Sequence, residues 1–253
     1  MKLSFYTPIA YDYKYAFLAI KSYYSIADEI LLAIDKERIS WANIKYKFND
    51  TEFYGEIQKI DNQKKIKIVE ENFHAFSSPA QNDTQERNYI STLCKNDNYI
   101  IGIDSDEVLL NSEEFKVWFD SFTYDSDLEC TWLTVYKIFD NDDILVTFPN
   151  DIASIGTNLR NGYKICRVTK NKKTLSPLKI LHYSWGRTKF DLLQKLKNWT
   201  HSKDFNVDVA IKKWEDVTLE NFSSKFNLHP LLRCKESWQK LQLLNLDGIN
   251  VYC

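Results

Sequence analysis

Two short runs constrain this chain more than any other feature. Glu29–Asp35 reads EILLAID and Tyr99–Asp104 reads YIIGID, each a mostly apolar run without alternation that ends on a carboxylate. A run that does not alternate suits a strand covered on both faces, as in a parallel α/β sheet. Around them, KLSFYTPIA is a strand ending at Pro8. YKYAFLAIKSYYSIA carries Phe17, Ile20 and Tyr24 at helical spacing, and KIKIVEENF is a third strand. NDTQERNYISTLCKND is a helix whose start is marked by Asp83 and Glu86 as a capping box. The order is therefore strand, helix, strand, strand, helix, strand. It predicts an α/β fold with a mainly parallel sheet and helices on both faces. In such sheets ligands bind beyond the carboxyl ends of the strands, where Asp35 and Asp104 stand.

The second half changes character. NSEEFKVWFDSF reads as a helix capped by Asn111 or Ser112. LECTWLTVYKIF, ILVTF and YKICRV are β-rich, and Asp140, Asp142 and Asp143 form a turn between the first two. KILHYSW is a further strand ending near Gly186. TKFDLLQKLKNWTHSK is an amphipathic helix opened by Thr188, with Phe190, Leu193 and Leu196 on one face. The tail reads as helical in pieces, notably KESWQKLQLLN. The expected organisation is one domain over residues 1–205 with a helical extension over 206–253 packed on it.

Several function classes are disfavoured by composition. A net charge of −2 implies no broad basic surface for nucleic acid. With 6 Gly and 5 Pro in 253 residues, low-complexity disorder is not expected. Cys94, Cys130, Cys166, Cys234 and Cys253 are widely spaced and odd in number, so they read as reduced thiols. The first residues hold no long apolar stretch, and no run approaches a membrane span. The sequons at Asn49, Asn82, Asn198 and Asn221 then carry no weight. The expected place is the cytoplasm, with peripheral contact at the inner face of a membrane left open.

The stretch DSDE follows the strand at 99–103 directly. Asp104, Asp106 and Glu107 repel one another unless something positive compensates. If extended geometry persists past Ile103, Asp104 and Asp106 point the same way. Two carboxylates so placed can hold a hard divalent cation, which prefers oxygen ligands and often bridges phosphates. A solvated acidic turn is the competing reading of so short a motif.

Taken together, AFLAIKSYYSIADEILLAID, ERNYISTLCKNDNYIIGIDSDEVL, YKICRV and ILHYSW resemble the GT-A nucleotide-sugar glycosyltransferases, family 2-like. The resemblance covers residues 1–110 and, more loosely, 160–200. It implies a Rossmann-like GT-A sheet and transfer of a sugar from a nucleoside-diphosphate sugar, UDP-linked by preference, to a glycan or lipid-linked hydroxyl acceptor. It implies Mn²⁺ or Mg²⁺ on Asp106 with His182 completing the shell. Asp35 would accept from the base or ribose, Arg87 and Asn88 would face the nucleotide, Asp104 would face the ribose or support the site, and Arg187 would contact phosphate. Each has a plainer reading: a strand-end turn for Asp35, a helix surface for Arg87 and Asn88 with Arg87 paired to a nearby acid, a hydrogen-bonded core residue for His182, and a side chain snorkelling to solvent for Arg187. The family often places its base in a His-Glu pair before the late His, yet residues 168–181 hold no acid. That leaves Asp151 as the candidate catalytic base, and a retaining mechanism stays open. A nucleotidyltransferase is the main rival, although YTPIAYDYKY lacks the glycines of a phosphate-cradling loop. A non-catalytic interaction domain is the other rival. Relief of the cluster's repulsion predicts that neutralising Asp106 leaves folding intact.

Overall fold

The structure, a computed structural model, describes residues 1–138, 144–147, 151–225 and 241–243. It begins as a strand–helix alternation: β1 Lys2–Ile9, α1 Tyr13–Tyr23, β2 Glu29–Asp35, α2 Asp50–Ile60, β3 Ile66–Glu71, α3 Pro79–Leu93 and β4 Asn98–Gly102. It continues through β5 Glu107–Leu109, α4 Ser112–Phe119, β6 Asp127–Lys137, β7 Ile144–Thr147, β8 Asp151–Thr157 and β9 Lys173–Trp185. It closes with α5 Lys189–Asn198, α6 Val207–Glu215, a 3₁₀ turn at Phe222–Ser224 and β10 Leu241–Leu243.

The sheet runs β10-β7-β6-β8-β4-β1-β2-β3, with β9 also pairing with β6 and β5 beside β9. β3, β2, β1 and β4 are parallel. β8 enters antiparallel to β4, and β6 pairs antiparallel with β8 and β7 but parallel with β9. The unbroken apolar runs are explained by cover on both faces. Leu3, Phe5, Ile30, Leu32, Ile34 and Ile101 pack against α1, α2 and α4. Their alternates Tyr6, Leu31, Ala33 and Ile100 meet Ile90 and Cys94 at α3. This is the expected α/β arrangement, of the Rossmann-like nucleotide-binding type. Chain order reverses at β1, with β2 on one side and β4 on the other, which opens a crevice at their carboxyl ends.

Several local expectations are corrected. α2 was not foreseen; Asn49 caps it by accepting from the Glu52 amide, and Phe53 and Ile57 bury one turn apart. α3 starts at Pro79 after Ser78, so Asp83 and Glu86 lie inside the helix and form no capping box. YKICRV is a turn, not a strand: its pairing is an isolated bridge between Ile165 and Val168, with Cys166 at φ 47°. α5 buries Leu192, Lys195 and Leu196, whereas Phe190 is 70% exposed. Leu241–Leu243, expected as helix, is a strand antiparallel to β7. α6 packs Ala210, Ile211 and Trp214 against Leu192, Leu196, Tyr136 and Trp185. The turn at Asp140, Asp142 and Asp143, and Cys234 and Cys253, lie outside the described residues. Among the described residues, no helix is long and apolar enough to cross a membrane.

Candidate functional site

A cavity of about 460 Å³ occupies the crevice, walled by the segments after β1, β2, β3 and β4 and by α3, β6, β8, β9 and α5. Asp35, Arg87, Asp104, Asp106 and His182, widely separated in sequence, all reach its wall. One flank is aromatic, with Trp41, Tyr46 and Phe73. The other carries Trp132, Arg167, Lys195 and His182.

The acidic stretch leaves extended geometry at once. β4 ends at Gly102, and the Glu107 amide donates back to the Asp104 carbonyl at 3.1 Å, closing a turn. The two aspartates therefore do not share one ligand direction, and each meets its own cations. Asp104 Oδ1 accepts from Arg87 Nη2 at 2.8 Å, and its Oδ2 lies 2.5 Å from Arg167 Nη2. Asp106 Oδ2 lies 2.5 Å from both Arg187 Nη2 and Lys195 Nζ. Glu107 takes Arg167 Nη2 on both oxygens at 2.8 and 2.9 Å. Arg87 is anchored further by Asp83, one turn earlier on α3.

These pairs set the protonation states. Burial alone would raise the Asp104 carboxyl, but Arg167 and Arg87 outweigh it and bring it to about 2. The same contest at Asp106, with Lys195 the leading cation, holds it well below the usual carboxylate range. Burial wins at Glu107, which rises to about 7 despite Arg167. It wins also at Glu86, a cavity-wall residue that rises to about 8 while accepting from Trp41 Nε1 at 2.5 Å. Burial lowers His182 to about 3, so its imidazole is neutral near pH 7. Its ring centroid lies 4.4 Å from that of Trp132, and its Nε2 is 3.6 Å from Asp106 Oδ2.

The remaining candidates hold different places. Asp35 ends β2, and protein donors surround its carboxylate. Oδ1 accepts from the Glu37 and Ile39 amides at 2.9 and 3.1 Å, and Oδ2 from the Phe73 amide and His74 Nδ1 at 2.8 and 2.6 Å. It fastens the two loops that carry the aromatic flank. Asn88 is not on the cavity wall and brackets Tyr163, donating to its carbonyl and accepting from its amide, both at 2.9 Å. Arg187 sits behind Asp106, off the cavity wall. It binds Asp12 Oδ2 and the Tyr183 carbonyl at 2.9 and 2.8 Å, and its guanidinium lies 4.4 Å from the Tyr15 ring centroid. Asp151 opens β8 opposite Trp132 and does not line the cavity, whereas Glu129 of β6 does.

The oxygen-rich set of Asp104, Asp106 and His182 does not fit a divalent cation as arranged. Both oxygens of Asp104 and one of Asp106 already face guanidinium or ammonium groups, so a cation there would meet positive charge at contact distance. No cluster of three metal-ligating side chains occurs among the described residues. Positive charge at this site is supplied by side chains.

Arg167, Lys195, Trp132, Glu129 and Glu86 were not singled out from the sequence as site residues. Lys195 left a readable signal, since it falls beside Leu196 and one turn after Leu192 on the buried face of α5. Arg167 left none, because it lies in a turn. Four of the wall residues keep buried donors with no partner among the described residues: Tyr46 OH, Arg87 Nη1, Arg167 Nη1 and Trp132 Nε1. Buried donors of this kind are costly unless a ligand completes them.

No family model matches the chain, and no curated protein matches its sequence. Solved structures with partial likeness include a mannose-6-phosphate isomerase from Helicobacter pylori (11% identity, TM-score 0.37, 85% of this chain and 79% of that one). Others are a putative glucose-1-phosphate thymidylyltransferase from Bacillus anthracis (13%, 0.33, 85% and 82%) and a mannose-1-phosphate geranyltransferase from Thermus thermophilus (6%, 0.31, 96% and 74%). Likeness of this extent assigns the chain neither a family nor an activity.

Proposed function

We propose that the cavity binds a nucleoside-diphosphate sugar and that the chain transfers the sugar to a hydroxyl acceptor. The observation that carries this reading is the pairing of two chemistries in one crevice. An aromatic flank of Trp41, Tyr46 and Phe73 suits a nucleoside. Beside it stand buried guanidinium groups of Arg87 and Arg167 whose unpartnered N–H donors suit phosphate oxygens. The resemblance to GT-A enzymes favours a uridine donor and a glycan or lipid-linked acceptor.

In the transfer, the bond from the anomeric carbon to the β-phosphate oxygen breaks and its electron pair stays on the diphosphate. The acceptor oxygen bonds to that carbon, and its proton passes to a carboxylate. Glu129 takes this role in place of Asp151. Asp12, Asp83, Asp104 and Asp106 are bound to buried cations, Asp35 is surrounded by donors, and Glu86 is protonated near pH 7. Glu129 has the half-exposed Lys173, at 2.9 Å, as its ion-pair partner.

Nucleotidyl transfer is the second reading, since the same basic wall suits a triphosphate whose α-phosphorus is attacked by a sugar phosphate. The absence of glycine between β1 and α1 weighs against it. Incubation with UDP-, GDP- and dTDP-sugars and a panel of glycan acceptors separates the two by product. Free nucleoside diphosphate plus glycoside supports glycosyl transfer; pyrophosphate-dependent release of nucleoside triphosphate refutes it. Glu129→Gln should lower transfer by at least about a hundredfold while nucleotide affinity is kept. A fully active variant would remove Glu129 from this role.

A further inference from the structure

We propose that Lys195, with Arg167, holds the donor's diphosphate in the position where a divalent cation would serve, so that nucleotide binds without metal. The inference rests on the donor reading above and concerns how that same site meets the ligand's charge.

Lys195 is unusual for a helix lysine. Its side chain is only 9% exposed, it shares a buried face with Leu192 and Leu196, and its ammonium group is directed to Asp106 at the cavity wall. Burying an ammonium is costly unless it is paired, so its placement implies a use beyond surface solvation. Inside the fold Asp12 and Asp106 are matched one for one by Arg187 and Lys195, and both cations approach the same Asp106 oxygen at 2.5 Å. Arg187 in turn has Asp12 as a second anion at 2.9 Å. Arg187 thus lies off the cavity wall, whereas Asp12, Asp106 and Lys195 all reach it.

Arg167 repeats the arrangement on the neighbouring acid. It reaches Asp104 and Glu107 through Nη2, stands 5.4 Å from the Trp132 ring centroid, and leaves Nη1 buried without a partner among the described residues. A diphosphate bridging Lys195 and Arg167 would complete that donor and the Trp132 N–H. Its oxygens would compete with Asp106 and Asp104 for cations already in place. A divalent ion at Asp106 Oδ2 would have to displace Lys195 first.

Calorimetric titration of the whole chain with UDP, GDP, ADP, CDP and dTDP, in EDTA and in Mn²⁺ or Mg²⁺, tests the inference. At least one nucleotide should bind in EDTA with an affinity within about threefold of that in metal. Lys195→Gln should weaken that binding by at least about tenfold, and Lys195→Arg, which keeps the charge, should restore most of it. Thermal unfolding of each variant reports whether it is folded. Should Lys195→Gln not fold, the comparison of EDTA with metal on the unaltered chain still decides. Binding that needs metal, or that is at least about tenfold tighter with it, overturns the inference and leaves the donor reading standing. Unchanged affinity in folded Lys195→Gln overturns it as well. Failure of every nucleotide under every condition overturns the donor reading and this inference together.

Discussion

Asp106→Asn tests the electrostatics of the site most directly. The substitution keeps shape and removes one charge. The sequence alone suggests relief of repulsion among Asp104, Asp106 and Glu107. The structure gives the opposite sign, because the carboxylate serves two buried cations, Arg187 and Lys195, through one oxygen at 2.5 Å each. Arg187 keeps Asp12, but Lys195 loses its acid. Breaking a buried ion pair by removing one partner costs about 3–5 kcal/mol, because a charge is stranded. Two charge-assisted hydrogen bonds at about 1.5–3 kcal/mol each give the same range. Urea unfolding followed by tryptophan fluorescence should show a midpoint lower by about 1–2 M. The pH dependence has a definite sign. Asp106 is held below its ordinary value of 3.8, so its contribution is present above that value and is lost as pH falls through the folded value. The gap between the two proteins should therefore be constant from about pH 5 to 8 and narrow only below about pH 4. An equal or higher midpoint for the variant at pH 7 would refute the pairing and return the cluster to simple repulsion.

Glu86→Gln should act in the other direction. Burial raises Glu86 from 4.5 to about 8, so its contribution is full below about 4.5 and is lost as pH rises through about 8. The variant should be the more stable protein above neutral pH, by on the order of a few kcal/mol, and parallel melting curves from pH 5 to 8.5 would sink the idea. Asp35→Ala removes the acceptor of four donors and should cost about 2–4 kcal/mol in urea unfolding. Nucleotide affinity should fall in the same variant because the loops bearing Trp41, Tyr46 and Phe73 loosen; lost affinity at full stability would instead mean that Asp35 touches the nucleoside.

The parts of the fold legible in the sequence are those whose pattern is complete within one segment. β2 and β4 are apolar on both faces because helices cover both, and that cover removes alternation from the sequence itself. α2 escaped because most of its surface is polar and only Phe53 and Ile57 are buried. Its stability comes from the sheet it packs on, which local spacing does not show. YKICRV is rich in β-forming residues, yet its groups are claimed by other elements. The Cys166 amide donates to Thr84 Oγ1 at 2.8 Å, and the Lys164 amide turns back to the Val168 carbonyl at 2.8 Å. Tertiary contacts overrode the local preference there.

At the site, Asp35, Asp104 and Asp106 were legible, and so were Arg87 and Arg187 as residues. Which acid each cation meets was not legible, and Arg167 and Lys195 were not singled out at all. A carboxylate at a strand's carboxyl end is visible from the run before it, so Asp35, Asp104 and Asp106 could be assigned to one crevice. What a buried carboxylate does depends on which cation meets it, and sequence proximity does not supply that. Arg167 lies 60 residues after Glu107, and Lys195 lies 89 after Asp106. A metal and a lysine answer the same repulsion with the same sign of charge, so the spacing of DSDE fits both equally. The discriminating sign is on the other partner. A lysine on an otherwise apolar helix face has to end in an anion, and a cluster short of cations is where it can end. Read in that direction, Leu192, Lys195 and Leu196 say more about the acidic stretch than the stretch says about itself.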